Sequence, residues 1–230
     1  MAKPKSPHST DLVQSRMYAD IYDAVMSHRL PPLTKLTEHS LCDIYGLARH
    51  HVRKVLAQLA HEGLVDLEPN RGAFIASPTP QEAMEMFDLR QALERLVVQK
   101  VADQAPTAAF KSLKDMVKRE REAWENGDRP SWIRLSAEFH MALAAMAGNH
   151  QLTDMLRRLV SRTTLLIASV DVPGQNACSF DDHQEILTCL ESGDKAGAIK
   201  SMARHLQGCS HRSKTPQEAE FDLRSALNRS

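Results

Sequence analysis

The chain carries no net charge: 29 Lys and Arg stand against 29 Asp and Glu in 230 residues. A global basic field for nucleic acid or an anionic membrane is therefore excluded, and any affinity for a polyanion must come from local placement of charge. Cysteine is scarce. Cys42, Cys178, Cys189 and Cys209 show no CxxC spacing, so neither a zinc ribbon nor a disulfide framework is expected. No apolar run approaches the roughly 18 residues of a membrane span. Residues 1–11 are polar, contain Pro4 and Pro7, and lack the apolar stretch of a secretion signal. Aromatics make up only 5% of the chain, which leaves Leu, Val, Ile, Ala and Met to form the core. These absences point to a cytoplasmic protein with no membrane contact.

The first third is organised by helical spacing and turn residues. A polar arm over 1–11 precedes an apolar repeat at Tyr18, Ile21, Tyr22 and Val25, which predicts a helix over about 13–29. Leu30-Pro31-Pro32 stops it. Thr37 is placed to cap a second helix carrying Leu41 and Ile44, with Gly46 at its end. A third helix aligns Val52, Val55, Leu56 and Leu59, and Gly63 closes it. Arg49, His50, His51, Arg53 and Lys54 crowd the start of this third helix, largely off its apolar stripe. Two strands are expected near 64–68 and 73–76, turned by Pro69-Asn70-Arg71-Gly72. A helix with donors at its N-terminal end, followed by a two-stranded wing, is an arrangement that enters the major groove of DNA.

Ser77-Pro78-Thr79-Pro80 is the best linker candidate. After it the pattern is helical throughout, near 80–103, 107–126, 130–147, 149–171, 180–191 and 194–211, with a further terminal helix in 217–228. Three of the eleven histidines lie on apolar faces: His140 with Leu143, Ala144 and Ala147; His183 with Ile186, Leu187 and Leu190; His205 with Ala198, Met202, Leu206 and Cys209. A buried imidazole needs a partner. One such histidine is most often a hydrogen-bonded core residue, but three on separate helices of one bundle suit a divalent metal. The expected organisation is an arm (1–11), a winged helix-turn-helix (12–77), an all-helical bundle (78–212) and a tail (213–230).

Leu36-Thr37-Glu38, Leu41, Gly46, Arg49, Val52-Arg53, Leu56, Leu59, Glu62-Gly63-Leu64-Val65 and Asn70-Arg71-Gly72-Ala73-Phe74 resemble the DNA-binding domain of the GntR family of bacterial transcription regulators. Leu89-Arg90, Leu93-Glu94, Phe139-His140, Ala147-Gly148-Asn149, Asp182-His183, Ile186, Gly193-Asp194, Ala198 and His205 resemble the FadR-type C-terminal domain of one branch. The resemblance covers about 15–211. It implies a regulator, usually a repressor relieved by its effector, with an all-helical effector domain; because a single winged helix binds weakly, a two-fold dimer on a near-palindromic operator is expected.

Arg49 and Arg53 are the candidates for base or near-base contacts, since arginine pairs bidentately with guanine O6 and N7. Glu38 and His39 match positions near the backbone or an adjacent base. His50 and His51 stand where the family has small residues or Pro, and so bear on operator choice or phosphate contact. Arg71 and Gly72 at the wing tip approach the minor groove. Arg90 matches a position that pairs with effector carboxylates, although an i,i+4 pair with Glu94 is an equal alternative. The family metal is held by an Asp and three His. His140, His183 and His205 supply the imidazoles, but Ser136 stands where the Asp belongs. Two readings follow. Either the imidazoles still hold Zn²⁺, Ni²⁺ or Mn²⁺, with Ser136 or water completing the shell, or they bind a small organic acid directly. Two rival functions are weighed. A metal-dependent enzyme is disfavoured because no carboxylate stands as general base: Glu138 points elsewhere, and Asp182 has the position of a helix cap. The other rival is a helical domain that serves only structure.

Overall fold

The computed structural model describes residues 7–27, 29–170, 179–212 and 227. The chain divides into two compact units between Ser77 and Pro78, with Leu227 grouped with the first.

In the first unit, α1 (Pro7–Met26) begins earlier than the apolar spacing predicts. Residues 7–11, expected in the arm, are its first turns, because proline fits the first turn of a helix, where its missing N–H has no partner to lose. Then come β1 (Lys35–Leu36), α2 (Glu38–Tyr45), α3 (Arg49–His61), β2 (Val65–Glu68) and β3 (Gly72–Ile75). Thr37 caps α2, its Oγ1 accepting from the Ser40 amide at 3.2 Å. Gly46 takes φ 60° at the other end, a conformation that costs glycine little. The α2–turn–α3 pair buries Leu41, Val52, Val55, Leu56 and Leu59, the stripe that the spacing marked. The wing is a hairpin in register Val65↔Ile75 to Glu68↔Gly72. A third strand, unforeseen from the sequence, joins it: β1 pairs with β3 through Lys35↔Phe74 and Leu36↔Ala73. Two residues are too few to show alternation, so the signal was absent.

The second unit is helical among its described residues: α4 (Pro80–Gln104), a 3₁₀ turn (Thr107–Phe110), α5 (Lys111–Glu125), α6 (Arg129–Met146), α7 (His150–Val170), α8 (Ser179–Glu191) and α9 (Lys195–Arg212). Half of the expected linker belongs to α4. Thr79 is its N-cap, accepting from the Glu82 amide at 3.2 Å, while Glu82 Oε2 accepts from the Thr79 amide at 2.7 Å. Pro80 follows at the first helical position. Asp128 caps α6. One core gathers Val97, Val101, Leu113, Phe139, Leu187 and Leu206 from α4, α5, α6, α8 and α9. Burying side chains of this size contributes about 1.5–3 kcal/mol each. The proposed terminal helix over 217–228 falls outside the described residues except for Leu227. No described helix is long and apolar enough to cross a membrane.

Candidate metal centre and nucleic-acid interface

On the first unit, one groove brings together Glu38, His39, Arg49, Arg53, Arg71 and Gly72, and adds Lys35 and Asn70. Glu38 is its hub. Its two carboxylate oxygens receive Arg49 Nε at 2.8 Å and Arg53 Nε at 2.7 Å. These arginines are about two-thirds exposed, so water competes and the pairs are weak. The Glu38 carboxylate holds the Arg53 guanidinium above its already high pKa. His39 faces Asp43 at 3.4 Å. At the wing, Arg71 pairs with Glu68 and lies 5.3 Å from the Phe74 ring centroid. Gly72 has φ 105°, a conformation disfavoured for any side chain. The His50 and His51 rings lie with centroids 3.8 Å apart, tilted by 42°; they and Lys54 lie on α3 but do not line the groove.

The second unit brings the three predicted imidazoles together. One ring nitrogen each of His140 (α6), His183 (α8) and His205 (α9) can be chosen so that all lie within 4.8 Å of one another. Each Nδ1 meets its own carboxylate: His140 with Glu94 Oε2 at 2.5 Å, His183 with Glu120 Oε2 at 2.8 Å, His205 with Asp182 Oδ2 at 3.2 Å. A carboxylate on Nδ1 fixes the ring and leaves Nε2 to face the centre. His140 Nε2 and His205 Nε2 stand 3.2 Å apart. The ring of His183 is held flat on Phe139, centroids 4.0 Å apart.

Further hydrogen bonds run outward from these pairs. Glu94 Oε1 accepts from Arg90 Nε at 2.7 Å, and Arg90 Nη1 donates to Thr163 Oγ1 at 2.8 Å. Glu120 Oε1 accepts from Ser179 Oγ at 2.5 Å, and Ser179 Oγ accepts from Trp132 Nε1 at 3.0 Å. Arg90 therefore does pair with Glu94, as the local alternative expected, yet its other terminus stays open. Asp182, expected as a cap, instead orients His205. The sequence offered Glu94 only as a partner for Arg90, and it gave Glu120 no role. The signal was there: Leu113, Val117 and Glu120 follow i, i+4, i+7, which puts a carboxylate on a buried stripe.

The electrostatics follow from burial. Desolvation lowers the His140 pKa to about 3, against the attraction of Glu94, and it lowers that of His183 against Glu120. Both rings are neutral, with lone pairs at the centre. Burial opposes ionisation of Glu94 and Glu120, but Arg90 and the imidazoles outweigh it, and both carboxyls titrate below their ordinary range. His205 is the exception. Burial works against its charge, but Cys209 and Asp182 raise its pKa to about 9.

Among the described residues, two buried side-chain polar atoms have no hydrogen-bond partner: His183 Nε2 and Arg90 Nη2. Each such atom costs about 1–3 kcal/mol unless a ligand meets it. Three imidazole nitrogens turned inward, one orphaned, with carboxylates behind them, form a donor set that fits a divalent transition metal. Ser136 lines a cavity beside them with Arg90, His140, Thr164, His205 and Cys209. The cavity holds about 30 Å³.

A helix-turn-helix with a wing, carried by a chain whose second unit is a helical bundle with a polar buried centre, defines the class of DNA-binding regulators. Residues 13–75 match the family of bacterial regulatory proteins named gntR, and residues 85–208 match the FCD domain. The chain belongs to the GntR family of transcription regulators, in the FadR-type branch whose C-terminal half is an FCD domain. It is 23% identical over 201 residues to the HTH-type transcriptional repressor RspR of Escherichia coli K12, covering 86% of this chain and 87% of that one. It is 25% identical over 204 residues to the repressor GlaR of the same organism, covering 82% and 90%. A putative GntR regulator from Rhodococcus sp. RHA1 has the same fold, with a TM-score of 0.73 at 20% identity over 86% of this chain and 95% of that one. The relatives are transcription regulators and not enzymes, which sets the metal-dependent-enzyme rival aside.

Proposed function

We propose that the protein is a repressor that binds a near-palindromic DNA operator as a homodimer, and that a small carboxylate, bound beside a divalent metal on His140, His183 and His205, sets its operator affinity. The observation that carries this reading is the convergence of three imidazoles, each with a carboxylate at Nδ1 and the orphaned His183 Nε2 among them. The metal, Zn²⁺, Ni²⁺ or Mn²⁺, supplies positive charge for the acid. Arg90 Nη2 gives a donor for a carboxylate oxygen, and Ser136 takes the space and position of a lost carboxylate, so the site repels an anion less.

For DNA, the start of α3 enters the major groove. Arg49 and Arg53 leave Glu38 for base edges or phosphate, an exchange their exposure makes easy. Arg71 and Gly72 approach the minor groove, and His39, His50, His51 and Lys54 are candidate backbone contacts. Two-fold assembly follows from the weakness of one winged helix on DNA. Leu89 and Leu96, both exposed and two turns apart on α4, are apolar surface that a partner copy could cover. The ligand shifts operator affinity only by its differential affinity for the DNA-competent state.

Calorimetry of metal-loaded protein against sugar acids, hydroxy acids and dicarboxylates tests the effector class. Binding of at least one acid, lost in Arg90→Ala, is the expected result. Binding confined to neutral compounds contradicts it.

A further inference from the structure

The cavity beside the imidazoles limits what can enter it. It holds about 30 Å³. A buried water needs about 10–15 Å³, so there is room for about two, and the two oxygens of one carboxylate take their place. Arg90 brings a buried guanidinium nitrogen, Nη2, that has no partner. Among the described residues no other arginine or lysine lines the cavity. Several of the other donors are taken. Trp132 Nε1 donates to Ser179 Oγ at 3.0 Å, Ser179 Oγ to Glu120 Oε1 at 2.5 Å, and Thr164 Oγ1 to the Val160 carbonyl at 2.7 Å. Ile133, Ala137 and Ile167 contribute apolar wall.

We infer that the effector is a monocarboxylate of two or three carbons, its carboxylate on Arg90 Nη2 and its carbon end against Ile133, Ala137 and Ile167. The inference rests on the carboxylate reading above and narrows it. A second carboxylate would be buried with no further guanidinium or ammonium to neutralise it. A sugar acid would press a row of hydroxyls against apolar walls and engaged donors, and buried hydroxyls without partners weaken binding. A longer aliphatic acid meets a different obstacle. Ala137 and Ile133 stand one and two turns before His140 on the same face of α6. The wall that limits chain length is therefore carried by the helix that also carries a metal ligand, and it cannot retreat without moving the centre. Each further methylene overfills the space.

Calorimetry on full-length protein in zinc-containing buffer tests chain length directly, with acetate, propionate, butyrate, hexanoate, succinate and gluconate as probes. The expected result is tightest binding for acetate or propionate, a fall at butyrate, and hexanoate, succinate and gluconate weaker by about tenfold or more. Ile133→Ala takes three carbons from the wall. It should reverse the order and favour butyrate over acetate by about tenfold. Arg90→Ala should lose the whole series. Butyrate, hexanoate, succinate or gluconate binding as tightly as propionate overturns the size limit and leaves the carboxylate reading standing. An unchanged preference in folded Ile133→Ala, or a short acid that still binds Arg90→Ala, places the ligand outside this cavity and overturns the inference as well. No binding by any of the six overturns the carboxylate reading itself. The wild-type series decides the point even if a variant fails to fold.

Discussion

Arg53 and Arg90 each donate from Nε to a glutamate at 2.7 Å, yet the two pairs belong to different physics. The Arg53 side chain is 64% exposed and its partner is shared with Arg49. Arg90 and Glu94 are each 2% exposed. In the winged unit, water screens the charges, so the pairs with Glu38 are weak and easily exchanged, as the proposed contacts with phosphate or guanine require. In the bundle, no water takes over when a partner leaves. Every charge there is chained to another: Thr163 to Arg90 to Glu94 to His140, and Trp132 to Ser179 to Glu120 to His183. The same residue types are exchangeable contacts in one unit and fixed scaffolding in the other.

The largest expected effect tests the buried half of this comparison. Glu94→Ala strands Arg90 and frees His140 Nδ1, so it should destabilise the helical unit by about 3–5 kcal/mol, read by urea unfolding. A loss below about 1 kcal/mol would place Glu94 with the surface pairs. Glu120→Gln keeps the shape but removes the charge behind His183. It should weaken metal binding about 10- to 100-fold in a competition titration, and unchanged affinity would separate the carboxylates from the site. In the exposed half, Arg49→Ala should cost about 1–3 kcal/mol of operator affinity and relax specificity at one base step. A mobility-shift titration with no change would remove Arg49 from the reading surface.

The comparison sharpens with pH. The depressed pKa values of His140 and His183 mean that the unfolded chain binds more protons than the fold between about pH 6.5 and the His140 value of about 3. Stability of the metal-free protein therefore falls as pH drops through that window. His205 is raised to about 9, so the stability it contributes is present below pH 6.5 and lost as pH rises towards 9. Metal-free protein should melt highest near pH 6.5 and lower on both sides; a flat profile would show that the imidazoles do not titrate as described. The smallest effect belongs to Glu38→Gln. It should change melting by less than about 1 kcal/mol while altering operator affinity, since it releases Arg49 and Arg53. A larger loss of stability would mean that this pair is structural.

How much could be read from the chain alone follows from these same pairs. Helix spacing placed His140, His183 and His205 on inward faces, because an apolar stripe is visible to anyone counting by three and four. The Thr37 cap, Gly46 and the hairpin turn at Asn70 were legible for the same reason: local backbone needs select local residues. What could not be read was pairing across helices. Glu120 meets His183 over a separation of 63 residues and Glu94 meets His140 over 46, and no spacing rule links positions that far apart. Asp182 looked like a cap because helix starts favour Asp. Its contact with His205 depends on α9 lying against α8. The earlier start of α1 was hidden because Pro7 reads as a breaker unless the helix begins there.

The most direct test of the account is operator affinity measured on full-length, zinc-loaded protein with and without the carboxylate that calorimetry selects, beside the same titration on His183→Ala. The account predicts a shift of about 1–3 kcal/mol, or 5- to 150-fold, in the wild type and none in the variant, which should still bind the operator. Equal operator affinity for wild-type protein with and without both zinc and acid would contradict it.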